Sequence, residues 1–335
     1  MVDKAHDSHS RGPTHRFVET NGIRMHLAEQ GEGPLVLLCH GFPESWYSWR
    51  HQLSALASAG FHAVAPDMRG YGQTDRPEAI DQYTLLHLVG DMVGVLDALG
   101  HETAVISGHD WGAPVAWHAA LLRPDRFRAV IGLSVPFISR SPDYPSKSYP
   151  ETEDTVFYQS YFQAPGVAEA DLEHDVRFTM RAFLCQDSGD APRPASKSEP
   201  AEHVLMVSRK GGMMADWVNP TSLPSWLTEA DLEIYADQFK QTGYRGGLNW
   251  YRNIDRNWEL TAPLAGLQIT VPALMIAGDR DPVLAFRGMD QVFANLPKNV
   301  PKLQKTLFLP GCGHWTQQER AHEVNEAMLE FLRRL

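Results

Sequence analysis

The chain reads as a doubly wound, mainly parallel α/β sheet that carries an inserted helical lid. Three observations predict this. Continuous apolar runs, among them Leu35–Cys39, Thr103–Ser107 and Ala129–Ser134, alternate with helical segments over residues 35–134. That is the pattern of strands covered on both faces and joined by crossover helices. From about Pro136 to Glu259 the alternation stops, and helical segments are separated by Pro-, Ser- and Asp-rich stretches at 139–154 and 186–200. Sheet-like runs then resume at Pro272–Ala277 and Lys305–Leu309.

The elements follow in order. Residues 1–15 are polar and read as a disordered leader. Arg16–Thr20 and Ile23–Glu29 alternate apolar and polar around Asn21-Gly22, a β-hairpin signal. Leu35–Cys39 is a buried strand that ends in His40-Gly41-Phe42-Pro43, and a helix spans about Ser45 to Ala59. His62–Pro66 is the next strand. The Gly-rich loop after it, Asp67–Asp75, is too irregular for a phosphate-binding fingerprint. A helix from about Leu85 to Leu99 leads to the strand at 103–107, and a second helix follows from Ala113 to Leu122. In the insertion, helices are expected at 169–184, 201–208 and 229–241, with the loop at 186–200 exposed and mobile. An amphipathic helix from Ala321 to Leu332 closes the chain. The expected division is a leader at 1–15, a core at 16–136 and 260–335, and a helical cap at 137–259.

Composition narrows the function. A chain of 335 residues with 43% hydrophobic and 21% charged residues can bury a large core. Its net charge of −11, with no basic block, argues against a nucleic-acid partner. No run approaches the ~20 apolar residues of a membrane span. Three scattered cysteines, Cys39, Cys185 and Cys312, make neither a disulfide framework nor a zinc site. The expectation is a cytoplasmic protein with no metal and no cofactor, and a homodimer is open as its assembly.

The chemistry centres on Gly108-His109-Asp110-Trp111-Gly112. Strand, small-x-Asp-x-small, helix is the layout of a nucleophile elbow, a sharp turn that lifts one side chain above the sheet. Here that side chain is an aspartate. Two further groups follow late strands: Gly278-Asp279-Arg280-Asp281 and Gly311-Cys312-Gly313-His314-Trp315. Ligand-facing groups of open α/β sheets sit at the carboxyl ends of strands. The order Asp110, an acid at 279 or 281, then His314 is the nucleophile–acid–histidine order of α/β-hydrolases. A lone loop aspartate is usually a turn residue and a lone loop histidine is usually solvated; the joint placement is much harder to obtain by accident. The fold would supply one oxyanion-hole amide from Phe42 and the second from Trp111. His40 fits a hydrogen-bonding support role better than a catalytic one.

A carboxylate nucleophile attacks sp³ carbon to give an ester, which a water activated by His314 then hydrolyses. Epoxide opening and dehalogenation both use this logic. An epoxide also needs a proton donor for its leaving oxygen, and the insertion offers tyrosines in Phe157–Gln163 and Asn249–Asn253.

With these residues in view, the chain from about residue 16 to its end resembles the soluble epoxide hydrolases of the α/β-hydrolase fold. The resemblance is carried by His40-Gly41-Phe42-Pro43, Gly108–Gly112, Tyr158–Glu169, Gly247–Asn253 and Gly311–Trp315. It implies Asp110 as nucleophile, His314 as base, and Tyr158 and Tyr251 as epoxide-oxygen donors. It also implies Asp281 as the acid behind the histidine, with Asp279 and Tyr161 as nearby decoys, and a cis peptide before Pro43. Substrate would lie against Trp111, Phe42 and Pro43. The implied member lacks the phosphatase-like N-terminal domain of mammalian relatives, and its partners are an apolar epoxide and water. Phe178, Met180, Phe183, Leu184, Met206, Met213, Met214 and Trp217 suit an adaptable apolar lid. Two rivals remain at this stage: a haloalkane or haloacid dehalogenase, and a ligand-binding receptor on a retired scaffold, which predicts a broken triad.

Overall fold

The computed structural model describes residues 12–191, 205–215, 217 and 219–335. Eight strands form the main sheet: β1 (Thr14–Thr20), β2 (Ile23–Gln30), β3 (Leu35–Cys39), β4 (His62–Pro66), β5 (Ala104–His109), β6 (Phe127–Leu133) and, after the insertion, β9 (Ala273–Gly278) and β10 (Leu303–Leu309). Their order is β1-β2-β4-β3-β5-β6-β9-β10. The β1–β2 and β2–β4 pairs are antiparallel and all later pairs are parallel. The predicted doubly wound sheet is therefore present, with an antiparallel hairpin at one edge.

Period-2 alternation builds a core on each face. Along β3, Leu35, Leu37 and Cys39 join one apolar cluster, while Val36 and Leu38 join the other. The helices α1 (Arg50–Ser58), α2 (Leu85–Leu99) and α3 (Gly112–Leu122) cover these faces, α1 beside β4 and α3 against β5 and β6. The β1–β2 hairpin turns at Asn21 and Gly22, with φ of 44° and 79°. Both values suit an Asn-Gly turn with two left-handed residues.

The insertion contains α4 (Tyr158–Tyr161), α5 (Val167–Leu172), α6 (Val176–Gln186), α7 (Glu229–Thr242), α8 (Arg245–Arg252) and α9 (Ile254–Leu260). The chain then closes with α10 (Met289–Asn299), α11 (Thr316–Glu319) and α12 (Ala321–Leu332). No helix among the described residues is long and apolar enough to cross a membrane.

Several expectations need correction. Thr14 and His15, assigned to the leader, belong to β1 and pair with Glu29 and Ala28; residues 1–11 lie outside the described residues. The single helix at 169–184 is two, α5 and α6, because Asp175 leaves the helical conformation and its side chain caps α6 by accepting from the Phe178 amide. The helix expected at 201–208 is absent from all of its described residues, 205–208: Leu205 sits in a turn at φ 70°. Met206–Ser208 form strand β8, paired antiparallel with β7 (Thr155–Phe157). A short apolar run does not declare its period, and a partner some fifty residues away decides it. The loop placed at 186–200 is only partly exposed where it is described: Gln186, which ends α6, and Asp190 are exposed, but Ser188 and Gly189 are buried. Residues 192–204 lie outside the described residues.

Candidate active site

The tight β5–α3 turn places Asp110 at φ 49°. A Cβ added to Gly108 would stand 1.9 Å from the Gly112 carbonyl oxygen, and one on Gly112 would stand 2.1 Å from the Cys39 carbonyl oxygen. Only glycine lets the strand, the turn and β3 approach this closely. The Phe42 amide donates to Asp110 Oδ1 at 2.7 Å. Phe42 is followed by a cis bond to Pro43, and the Trp111 amide follows the aspartate directly. A Cβ on Gly41 would stand 2.3 Å from Asp110 Oδ1.

His314, 5% exposed, presents Nε2 to Asp110 Oδ2 at 3.5 Å and Nδ1 to Asp281 Oδ1 at 3.0 Å. Asp281 is 3% exposed and also accepts the Val283 amide at 2.9 Å. Asp279 is exposed and its Oδ1 accepts the Gly311 amide at 2.7 Å. The structure thus brings Asp281, and not Asp279, to the histidine. Burial opposes charge on His314, but the carboxylates of Asp281 and Asp110 outweigh it and raise the imidazole well above its ordinary range. Burial would raise Asp281, yet the opposed His314 holds its carboxyl below the usual range.

Two tyrosines close the site from above. Tyr158 starts α4 and Tyr251 lies near the end of α8; their rings are 5.8 Å apart. Tyr251 packs edge-on against Trp111 at 5.2 Å and Phe42 at 5.5 Å. Burial raises both hydroxyls well above 10, and the charge of Asp110 pushes each the same way. Gln159 donates to the Tyr158 oxygen at 2.9 Å, which leaves the phenolic proton free to point elsewhere. Tyr161 instead donates to Asp171 at 3.0 Å.

Other residues are built into the site without having been singled out in the sequence. Ser134, at the end of β6 with φ 67°, places its hydroxyl 3.1 Å from His314 Nδ1. Glu44 is fully buried and accepts the Gly41 amide at 2.8 Å and Gln317 Nε2 at 2.9 Å. It also faces His109 Nδ1 at 2.8 Å, whose Nε2 meets the His314 carbonyl at 2.7 Å. Burial would raise the Glu44 carboxyl, but His109 prevails and holds it at about 2. The only sequence signal for these residues was their position next to a strand end. His40 accepts the Met68 amide on Nε2 at 3.0 Å, so its Nδ1 donates to the Gly41 carbonyl at 2.9 Å. That is the support role expected of it.

Comparison with known proteins agrees with this geometry. A family model described as the alpha/beta hydrolase fold matches residues 34–321. Epoxide hydrolase A of Mycobacterium tuberculosis is 46% identical over 323 residues, covering 96% of this chain and 97% of that protein. The bifunctional epoxide hydrolase 2 of Mus musculus is 41% identical over 95% of this chain, which spans 55% of the mouse protein. The solved epoxide hydrolase from an endophytic Streptomyces superposes with a TM-score of 0.91 at 47% identity, covering 97% of this chain and 96% of that one.

Proposed function

The chain belongs to the epoxide hydrolases of the α/β-hydrolase fold, and we propose that it converts apolar epoxides to vicinal diols through an ester on Asp110. The observation that carries the mechanism is the division of labour around one carboxylate. Asp110 Oδ1 is held by the Phe42 amide, while Oδ2 faces the histidine. Oδ2 attacks an oxirane carbon, the carbon–oxygen bond breaks, and the leaving oxygen takes a proton from Tyr158 or Tyr251. Their raised hydroxyls stay protonated until that alkoxide develops.

Ester formation removes the Asp110 charge. One of the two carboxylates that hold His314 high is then gone, so the imidazole is more readily neutral when it must act as base. His314 takes a proton from water, which adds to the Asp110 carbonyl carbon. Asp281 and Ser134 hold Nδ1 and leave Nε2 toward the water. The amides of Phe42 and Trp111 stabilise the oxyanion on the enzyme's own side chain. Collapse releases the diol and restores Asp110, and the proton held on His314 returns to the tyrosinate left by the first step, which closes the cycle.

Residues 137–259 form the cap in this reading, and Trp111, Phe42 and Pro43 form the apolar floor under the substrate. Three buried free cysteines suit a cytoplasmic enzyme. Trapping tests the proposal: His314→Gln incubated with an aryl epoxide should gain one substrate mass on the peptide containing Asp110. An unmodified peptide, in a variant that still binds the epoxide, would refute the covalent step.

A further inference from the structure

The loop carrying His314 is held by a carboxylate outside the triad. Three consecutive amides in that loop point into protein. Gly313 N–H donates to Glu319 Oε2 at 3.0 Å, Trp315 N–H donates to Glu319 Oε1 at 3.1 Å, and His314 N–H donates to the Asp187 carbonyl at 2.8 Å. The same Glu319 Oε2 accepts the Gly189 amide at 2.8 Å and lies 3.4 Å from the Ser188 hydroxyl. Asp187, Ser188 and Gly189 follow α6, on the insertion, whereas Glu319 ends α11 on the core. One side chain therefore ties the histidine loop to the insertion.

The contact is tight on both sides. A Cβ on Gly313 would stand 2.3 Å from both the Asp187 carbonyl oxygen and the Gly189 nitrogen. One on Gly189 would stand 2.1 Å from the Gly311 carbonyl oxygen. Arg280 reinforces the seam by donating to the Gly189 carbonyl at 2.7 Å, and the Trp226 indole donates to the Ser188 hydroxyl at 3.0 Å. Glu319 is 8% exposed. The neighbouring Arg320 turns its guanidinium to the carbonyls of Glu319 and Gly311. Burial raises the Glu319 carboxyl, and the amides of Gly313, Gly189 and Trp315 act against that shift. A buried carboxylate is costly to keep, so the donors that converge on it mark a built arrangement.

We propose that Glu319 is a positioning residue for ester hydrolysis: its carboxylate sets the backbone of the histidine loop and seats segment 187–189 on it, which keeps His314 Nε2 over Asp110. The inference rests on the reading of His314 as the base of the second step. The nucleophile, its oxyanion amide and both tyrosines lie on other elements, so the first step does not depend on this carboxylate.

Glu319→Gln tests it. The change is nearly isosteric, but whichever way the amide turns, an NH2 group faces backbone donors. Single-turnover kinetics should show ester formation within ~3-fold of wild type. Ester hydrolysis should slow by ~10- to 100-fold, the scale for a small misplacement of a reacting group, so that ester accumulates. Glu319→Asp, which keeps the charge, should recover part of the lost hydrolysis rate, and it serves as the test variant if Glu319→Gln does not fold. Equal slowing of both steps, or a lower melting temperature with both rates unchanged, would overturn the positioning role. A wild-type enzyme that forms no ester would instead overturn the underlying mechanism.

Discussion

Replacing Asp281 should uncouple the two halves of the reaction, whereas replacing Asp279 should not. Asp281 Oδ1 lies 3.0 Å from His314 Nδ1 at a site where both groups are at most 5% exposed. Two opposite charges about 4 Å apart interact by ~4 kcal/mol at an effective dielectric constant of ~20. The imidazolium that forms as water is deprotonated gains that support only while Asp281 is charged. Asp281→Asn removes the charge and keeps the shape, so ester hydrolysis should slow by ~10²- to 10³-fold, each factor of ten being ~1.4 kcal/mol. Ester formation asks nothing of His314 and should change little. The pH profile gives a second reading. Asp281 raises the His314 pKa, so its loss should move the acid limb of hydrolysis to lower pH even as the plateau falls. In Asp279→Asn the exposed side chain keeps an oxygen for the Gly311 amide, and both steps should stay within ~3-fold of wild type, a loss under ~1 kcal/mol. Stopped-flow tryptophan fluorescence would follow both steps, since Trp111 directly follows Asp110 and packs against Tyr251. Ester accumulation in Asp279→Asn with normal turnover in Asp281→Asn would transfer the role to Asp279.

Three further outcomes follow from the same geometry. Tyr158→Phe and Tyr251→Phe should each slow ester formation by ~10- to 10³-fold, and the double variant should leave almost none. Tyr161→Phe, which loses a bond to Asp171, should keep its single-turnover rate; full rates in both donor variants would refute the assignment. Gly41→Ala should lose most activity, because its Cβ meets Asp110 Oδ1, and wild-type kcat/KM would refute the close packing. Burial raises the Asp187 carboxyl to about 7. A raised acid supports the fold below its unfolded value and loses that support as pH climbs through 7. Asp187→Asn should therefore match wild type in thermal unfolding near pH 4 and melt a few degrees higher above pH 8; the opposite trend would remove the buried carboxyl from the account.

Much of this was legible in the sequence because the signals are local. The apolar runs of β3, β5, β6, β9 and β10 report strands covered on both faces, and Asn21-Gly22 reports its own turn. The glycines around Asp110 mark a close approach that no other residue permits. Choosing between Asp279 and Asp281 needed a family pattern, because spacing alone places both beside the strand end. What stayed hidden depends on long-range partners. Met206–Ser208 has no strand character apart from its pairing with Thr155–Phe157. Glu44 and His109 are 65 residues apart, and Ser134 and His314 are 180 apart. Glu319 sits in Thr316-Gln317-Gln318-Glu319-Arg320, which reads as a solvated polar stretch until the insertion covers it.

A single turnover in isotopically labelled water separates a covalent bond between Asp110 and the substrate from direct attack by water. Excess enzyme is given a single turnover of epoxide in ¹⁸O-water, and the diol and the peptide containing Asp110 are weighed. Water attacks the Asp110 carbonyl carbon in this account, so the first diol carries an unlabelled carboxylate oxygen and the label stays in the peptide. Fully labelled diol with an unlabelled peptide would contradict the account, because water would then have opened the epoxide itself and Asp110 would be a general base.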